Sequence, residues 1–153
     1  MDDFQFTLNG LIRTVSGSST DALISHLRNQ CGVSSPRYGC GREQCGACVV
    51  LINNETAYSC TTSLADATGK HIDTVEGLAD HPFQQALIEL NAAQCGYCLS
   101  GIIMTVVKLL RDNPMPTREE IKRGLVGHLC RCGAHNRIIR AVELAAARQQ
   151  TET

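Results

Sequence analysis

Residues 38–48 read Tyr38-Gly39-Cys40-Gly41-Arg42-Glu43-Gln44-Cys45-Gly46-Ala47-Cys48, and this stretch decides how the first half of the chain folds. Its cysteines follow C-x4-C-x2-C, the spacing that opens a plant-type [2Fe–2S] site, and such sites take a fourth thiolate from further along. Cys60 is the only later cysteine in this half. A loop of this kind must wrap its centre closely and aim backbone N–H groups at sulfur, so Gly39, Gly41 and Gly46 supply unusual φ angles and close approach. A cluster held by four thiolates is an anion, which those N–H dipoles and Arg42 stabilise. A structural zinc site on the same four cysteines is the alternative, but zinc sites favour paired C-x2-C units over this asymmetric run.

The segments around the loop read as strands. Phe4, Phe6 and Leu8 alternate with polar residues, Asn9-Gly10 is a strong hairpin turn, and Leu11 to Val15 returns. A short helix follows, with Ser19 or Thr20 as its cap and Ala22, Leu23, Ile24 and Leu27 at helical spacing, until Gly32 ends it. After the loop come the apolar run Val49–Ile52, the turn Asn53-Asn54, a strand from Glu55 to Cys60, and a last strand from His71 to Val75.

From His81 onward the periodicity becomes helical. Pro82 suits the first turn of a helix carrying Phe83, Ala86, Leu87 and Leu90; Cys98 opens a second helix that Asn113-Pro114 stops. Thr117 and Glu120 form a capping box for a third, and Ile138 to Ala147 make a fourth with an alanine-rich face. A β-rich half thus precedes an all-helical half, joined across residues 76–82, with domains at 1–76 and 77–153.

The helical half has its own cysteine quartet. Cys95 and Cys98 form a C-x2-C at the mouth of a helix, and Cys130-Arg131-Cys132 brings two more thiols from a distant loop. Spacing alone does not separate zinc from iron–sulfur here. A helix N-terminus favours thiolate formation through its dipole, and Arg131 adds positive charge, both of which suit an anionic cluster. His128 and His135 flank the quartet and could ligate as in a Rieske centre, but four thiols already suffice, which leaves both as ordinary polar residues. Cys31 belongs to neither quartet and reads as a small buried apolar residue.

Whole-chain properties exclude several classes. With 14 Lys+Arg against 15 Asp+Glu, nothing predicts a nucleic-acid or anionic-membrane partner. The composition, 43% hydrophobic without Trp, is that of a globular protein, and no apolar run is long enough to span a bilayer. The start, Met-Asp-Asp-Phe-Gln-Phe, lacks the features of a secretory signal, which places the chain in the cytoplasm unless a signal-bearing partner exports it. Nine cysteines are an odd number for a disulfide framework, and a reducing compartment favours metal binding.

Taken together, residues 38–48 with Cys60, then Gln94-Cys-Gly-Tyr-Cys98, then Gly127-His-Leu-Cys-Arg-Cys-Gly133 resemble, over nearly the whole chain, the iron–sulfur small subunits of the xanthine oxidase family of molybdenum hydroxylases. A plain ferredoxin has only the first motif. The resemblance implies an α+β fold: a β-grasp, plant-type ferredoxin-like domain followed by a four-helix domain, each with one [2Fe–2S] cluster. It implies Cys40, Cys45, Cys48 and Cys60 as ligands of the first and Cys95, Cys98, Cys130 and Cys132 as ligands of the second. Gln94 and Cys132 then approach a molybdopterin cofactor held mainly by a large catalytic subunit, and a flavin-binding subunit or cytochrome accepts the electrons. No substrate chemistry is expected on this chain. Two positions depart from the family pattern: Glu43 stands where many members have glycine, and Val49 where many have threonine. A freestanding two-cluster ferredoxin or redox regulator, and a zinc-stapled interaction module, are the competing readings.

Overall fold

A computed structural model describes residues 1–151, so the last two positions of the range 77–153 lie outside the described residues. The first half is a five-stranded mixed sheet built from β1 (Asp2–Leu8), β2 (Leu11–Gly17), β3 (Val49–Ile52), β4 (Glu55–Tyr58) and β5 (His71–Asp73), in the order β2-β1-β5-β3-β4. Two tight turns make its hairpins. Asn9 and Gly10 (φ 49° and 80°) join β1 to β2, and Asn53 and Asn54 (φ 49° and 69°) join β3 to β4, the left-handed pairs that two-residue hairpins require. Strand β5 then runs parallel to β1, through Thr7 opposite His71 and Leu8 opposite Ile72, and antiparallel to β3.

Helix α1 (Leu23–Asn29) lies across this sheet, burying Leu23 and Leu27 against Phe6, Val15, Val50 and Ile72. Its cap differs from the expected Ser19 or Thr20: the N-cap is Ala22, with no side-chain cap bond. Ser18 and Asp21 close a turn of their own ahead of it, and the Thr20 hydroxyl meets that of Ser18 within this turn rather than the helix. Two strands are shorter than expected, β4 ending at Tyr58 and β5 at Asp73. A four-residue helix, α2 (Leu64–Ala67), capped by Ser63 accepting from Asp66 N–H, has no counterpart among the elements expected from the pattern.

The second half contains α3 (Pro82–Glu89), α4 (Leu99–Asp112), α5 (Arg118–Gly124) and α6 (His135–Thr151), preceded by a single 3-10 turn, Val75–Gly77. Pro82 sits in the first turn of α3, whose cap is a capping box between His81 and Gln84; Thr117 and Glu120 make the expected box for α5. The helices share one core in which Phe83, Ile102, Val106, Ile121, Ile138 and Val142 are buried. Among the described residues no helix is long and apolar enough to cross a membrane.

The two halves meet along β3 and α4. Strand β3 is buried on both faces: Val50 and Ile52 enter the sheet core, while Val49 and Leu51 pack on Met104 of α4. That is why residues 49–52 form an unbroken apolar run rather than an alternating one, and why valine is accommodated at position 49. Because β3 leaves the first cysteine loop and α4 leaves the second, this packing brings the two quartets together.

Candidate metal centres

The first quartet lies on the loop between α1 and β3, with Cys60 returning just beyond β4. Cys48 and Cys60 are buried, whereas Cys40 and Cys45 are half-buried. The thiols form two contacting pairs, Cys40 with Cys45 and Cys48 with Cys60. Backbone donors converge on the outer pair: Cys40 Sγ accepts from Arg42 N–H (3.4 Å) and Gln44 N–H (3.2 Å), and Cys45 Sγ accepts from Cys40 N–H (3.4 Å). The Arg42 and Gln44 donors bring the Cys40 thiol down to about 7, whereas burial pushes Cys48 up to about 12. Free Cys48 therefore stays protonated, and a metal must displace its proton to bind.

Close approach explains the glycines of this loop. A Cβ on Gly39 would meet Cys45 Sγ at 2.7 Å, and one on Gly46, whose φ is +75°, would meet His128 Nδ1 at 2.3 Å. Glu43 occupies the left-handed region at φ 60°, where glycine is unstrained, and its carboxylate accepts from the Thr61 hydroxyl at 2.6 Å.

The second quartet collects Cys95 and Cys98 from the turn before α4 and Cys130 and Cys132 from the loop before α6. Here too the thiols pair, Cys95 with Cys132 and Cys98 with Cys130. The N–H of Tyr97 and the Cys132 thiol lower Cys95. Burial raises Cys130, but the Ala134 N–H, 3.5 Å from its sulfur, and the Cys98 thiol bring it below the usual value. Cys98 is the N-cap of α4, and burial pushes its thiol up to about 12.

Four thiols in two pairs, with N–H donors aimed at sulfur, suit a two-iron rhomb in which each iron takes one pair. Among the described residues no group of three or more His, Cys, Asp or Glu side chains forms a site for a single metal ion. A cavity of about 330 Å3 is lined by Cys95, Cys98 and Cys130 together with Cys45 and Ala47 of the first loop, so the two quartets share one hollow.

The remaining candidates have plain positions. His128 is buried; burial holds its imidazole near 4, its Nε2 meets the Thr105 hydroxyl at 2.8 Å, and its Nδ1 has no hydrogen-bond partner. His135 contacts the His128 carbonyl through Nε2 (2.9 Å). Cys31 packs on the edge of the sheet core, and burial raises its thiol. Gln94 is exposed and donates from Nε2 to Cys132 O at 2.9 Å, which brings together the two residues that the resemblance places beside a pterin. The backbone donors of Gln44 and Ala134 carry no sequence signal. The contacts of Arg37 and Tyr97 between the loops join residues 59 apart, and only the position of Tyr97 inside C-x2-C marks it.

Comparisons with known proteins agree with this geometry. Residues 6–79 match a family described as a 2Fe-2S iron-sulfur cluster binding domain, and residues 74–143 match one described as a [2Fe-2S] binding domain. The chain is 48% identical to a nicotinate dehydrogenase subunit of Pseudomonas putida over 91% of both chains. It is 41% identical to the alpha subunit of isoquinoline 1-oxidoreductase of Brevundimonas diminuta, over 93% of this chain and 96% of that one. Among solved structures, quinoline 2-oxidoreductase from Pseudomonas putida 86 superposes with a TM-score of 0.91 at 32% identity, over 99% of this chain and 98% of that one. The aldehyde oxidoreductase of Desulfovibrio desulfuricans gives a TM-score of 0.94 at 33% identity, but this chain matches only 18% of its length. With its two domains, its paired thiol quartets and relatives of this identity across nearly its whole length, the chain belongs to the iron–sulfur small subunits of the xanthine oxidase family of molybdenum hydroxylases and carries two [2Fe–2S] clusters.

Proposed function

We propose that this chain relays electrons out of a molybdopterin site on a large partner subunit, through its helical domain and then its β-grasp domain, to a flavin subunit or cytochrome. The observation that carries the reading is the shared hollow, in which a thiol of one quartet and three of the other line the same 330 Å3 cavity. Each [2Fe–2S] cluster supplies one-electron transfer, so paired electrons released by a two-electron oxidation leave singly. Everything else is done by the protein.

In this reading Cys40, Cys45, Cys48 and Cys60 hold the outward cluster, and Cys95, Cys98, Cys130 and Cys132 hold the inward one. The side-chain contacts of Cys40 with Cys45, Cys48 with Cys60, Cys95 with Cys132 and Cys98 with Cys130 support a reading in which each pair serves one iron. The N–H groups of Cys40, Arg42, Gln44 and Ala134 stabilise the negative charge that each added electron brings. Gln94 and Cys95 are exposed, with half-buried Cys132 bonded to Gln94 through its carbonyl, and in this reading the large subunit covers that face. The proposed boundary between residues 76 and 77 lies within the 3-10 turn Val75–Gly77, and the separate hydrophobic cores of the two halves support it.

The substrate, an N-heteroaromatic, aldehyde or similar small molecule, is oxidised on the partner chain; relatives are named for nicotinate, nicotine and isoquinoline. All nine cysteines are free, which suits the reducing cytoplasm. Gln94→Ala tests the relay. Because an amide is not a ligand here, both clusters should assemble, yet substrate-driven cluster reduction in the complex should slow. A variant that reduces at the unaltered rate, in a chain that never co-purifies with a molybdenum subunit, would instead favour a freestanding ferredoxin.

A further inference from the structure

The two cysteine loops meet along a seam, and one side of that seam is held by side chains that bind no metal. Arg37 stands three residues before Cys40, half-buried. Its Nη1 donates to Gly96 O at 2.7 Å, and its guanidinium lies over the Tyr97 ring, 5.3 Å from the centroid. Its backbone N–H donates to Ala47 O at 3.0 Å, inside its own loop. The Tyr97 hydroxyl donates in the opposite direction, to Tyr38 O at 2.6 Å. Gly96 and Tyr97 are the two residues between Cys95 and Cys98. Each loop therefore grips the other: a cation of the first seats on the turn of the second, and a phenol of the second seats on the first.

That cation is a planar, delocalised guanidinium, suited to stacking on an aromatic ring while it donates to a carbonyl. Stacking on Tyr97 shields one face from water, so its field is less screened than that of a free surface arginine. Taking up one electron adds one negative charge to a cluster, and no proton is required. A fixed positive charge bonded to the carbonyl next to Cys95 favours that reduced state.

We propose that Arg37, clasped by Gly96 and Tyr97, is a positioning residue of the relay that locks the two cysteine loops together and biases the second cluster toward its reduced form. The proposal rests on the ligand set given above. Its test uses the chain in its native complex with both clusters loaded, titrated with dithionite and followed by electron paramagnetic resonance, beside hydrogen–deuterium exchange. Leu129 N–H reports on the seam because it donates across it, to Cys45 O at 3.0 Å.

In Arg37→Gln the potential of the second cluster falls relative to the first, whereas Arg37→Lys keeps the charge and most of the potential. Losing one tie of ordinary hydrogen-bond strength speeds exchange at Leu129 about five-fold. Tyr97→Phe removes the hydroxyl bond but keeps the ring and the charge, so exchange quickens in the same way while the potential stays in place. Both clusters loaded with potentials and exchange unchanged in Arg37→Gln would overturn the proposal, as would an equal fall of potential in Arg37→Lys. Should Arg37→Gln fail to assemble, Tyr97→Phe decides, and unaltered exchange there is refuting. Zinc or a single cluster in the unsubstituted chain would count against the ligand set instead, which keeps the two failures apart.

Discussion

Replacing Gly101 by alanine tests whether the seam between the domains is as tight as the structure makes it. Gly101 lies in the first turn of α4, and on helix propensity alone Gly→Ala should stabilise by about 1 kcal/mol. The seam dictates the opposite sign. A Cβ there would lie 1.8 Å from Gly46 O, so that carbonyl or the helix must retreat by about 1.2 Å even to reach the 3.0 Å floor of real contacts. The obstacle is backbone, which cannot rotate away. Gly46 O also accepts from Val49 N–H at 3.1 Å, and there is no room beside Gly46 even for a Cβ, which would meet His128 Nδ1 at 2.3 Å. Overpacking costs about 1–3 kcal/mol and a weakened hydrogen bond about 1 more, so the net loss is about 2 kcal/mol after the propensity gain. For a chain of this size that lowers the melting temperature by about 4–8 °C. Thermal denaturation of the cluster-loaded protein, followed by circular dichroism and by the visible absorption of the clusters, measures it. Gly124→Ala is the control: the new Cβ would meet only Leu109 Cδ2, at 3.6 Å, so the same substitution should leave stability equal or higher. Equal behaviour of the two variants would refute the close approach of the two loops.

Two further substitutions probe the polar ties around the sites. Burial pushes the Glu76 carboxyl up, but hydrogen bonds from Ser35 and Thr74 outweigh it and leave the group below its ordinary 4.5. A lowered folded-state value means the stabilisation is complete above about pH 4.5 and is lost as pH falls through the folded value, so wild type should exceed Glu76→Gln in melting temperature at neutral pH and converge with it in acid. A gap between them that stayed constant in acid would contradict this. Thr105→Val leaves His128 buried with neither ring nitrogen bonded, and should cost about 1–3 kcal/mol by denaturant unfolding; a neutral effect would mean that the imidazole does not depend on the Thr105 hydroxyl.

Features that depend on near neighbours along the chain are legible from residue order alone. The Asn9-Gly10 turn, Pro82 in the first turn of α3 and the Thr117–Glu120 box are set by contacts within four residues, and residue type reveals them. The two quartets are legible because thiolate chemistry limits what cysteines clustered at these spacings do. Helix α2 escapes because one turn carries no measurable period, and the cap of α1 because Ser18 and Asp21 bind each other instead. The burial of Cys98 escapes because it comes from the packing of other elements. The seam is out of reach for the same reason. The Arg37–Gly96, Tyr97–Tyr38 and Thr105–His128 contacts join residues 59, 59 and 23 positions apart, and no spacing rule links them.

The central claim, that two separate thiolate quartets each hold a [2Fe–2S] cluster in one electron path, is tested most directly by metal analysis and electron paramagnetic resonance on the reduced chain and its Cys45→Ala variant. The unsubstituted protein should contain about four irons and four acid-labile sulfides and give two distinct signals of equal weight. Cys45→Ala should abolish one signal, leave the other and destabilise mainly the β half. Stoichiometric zinc without sulfide, or both signals surviving in Cys45→Ala, would contradict the account.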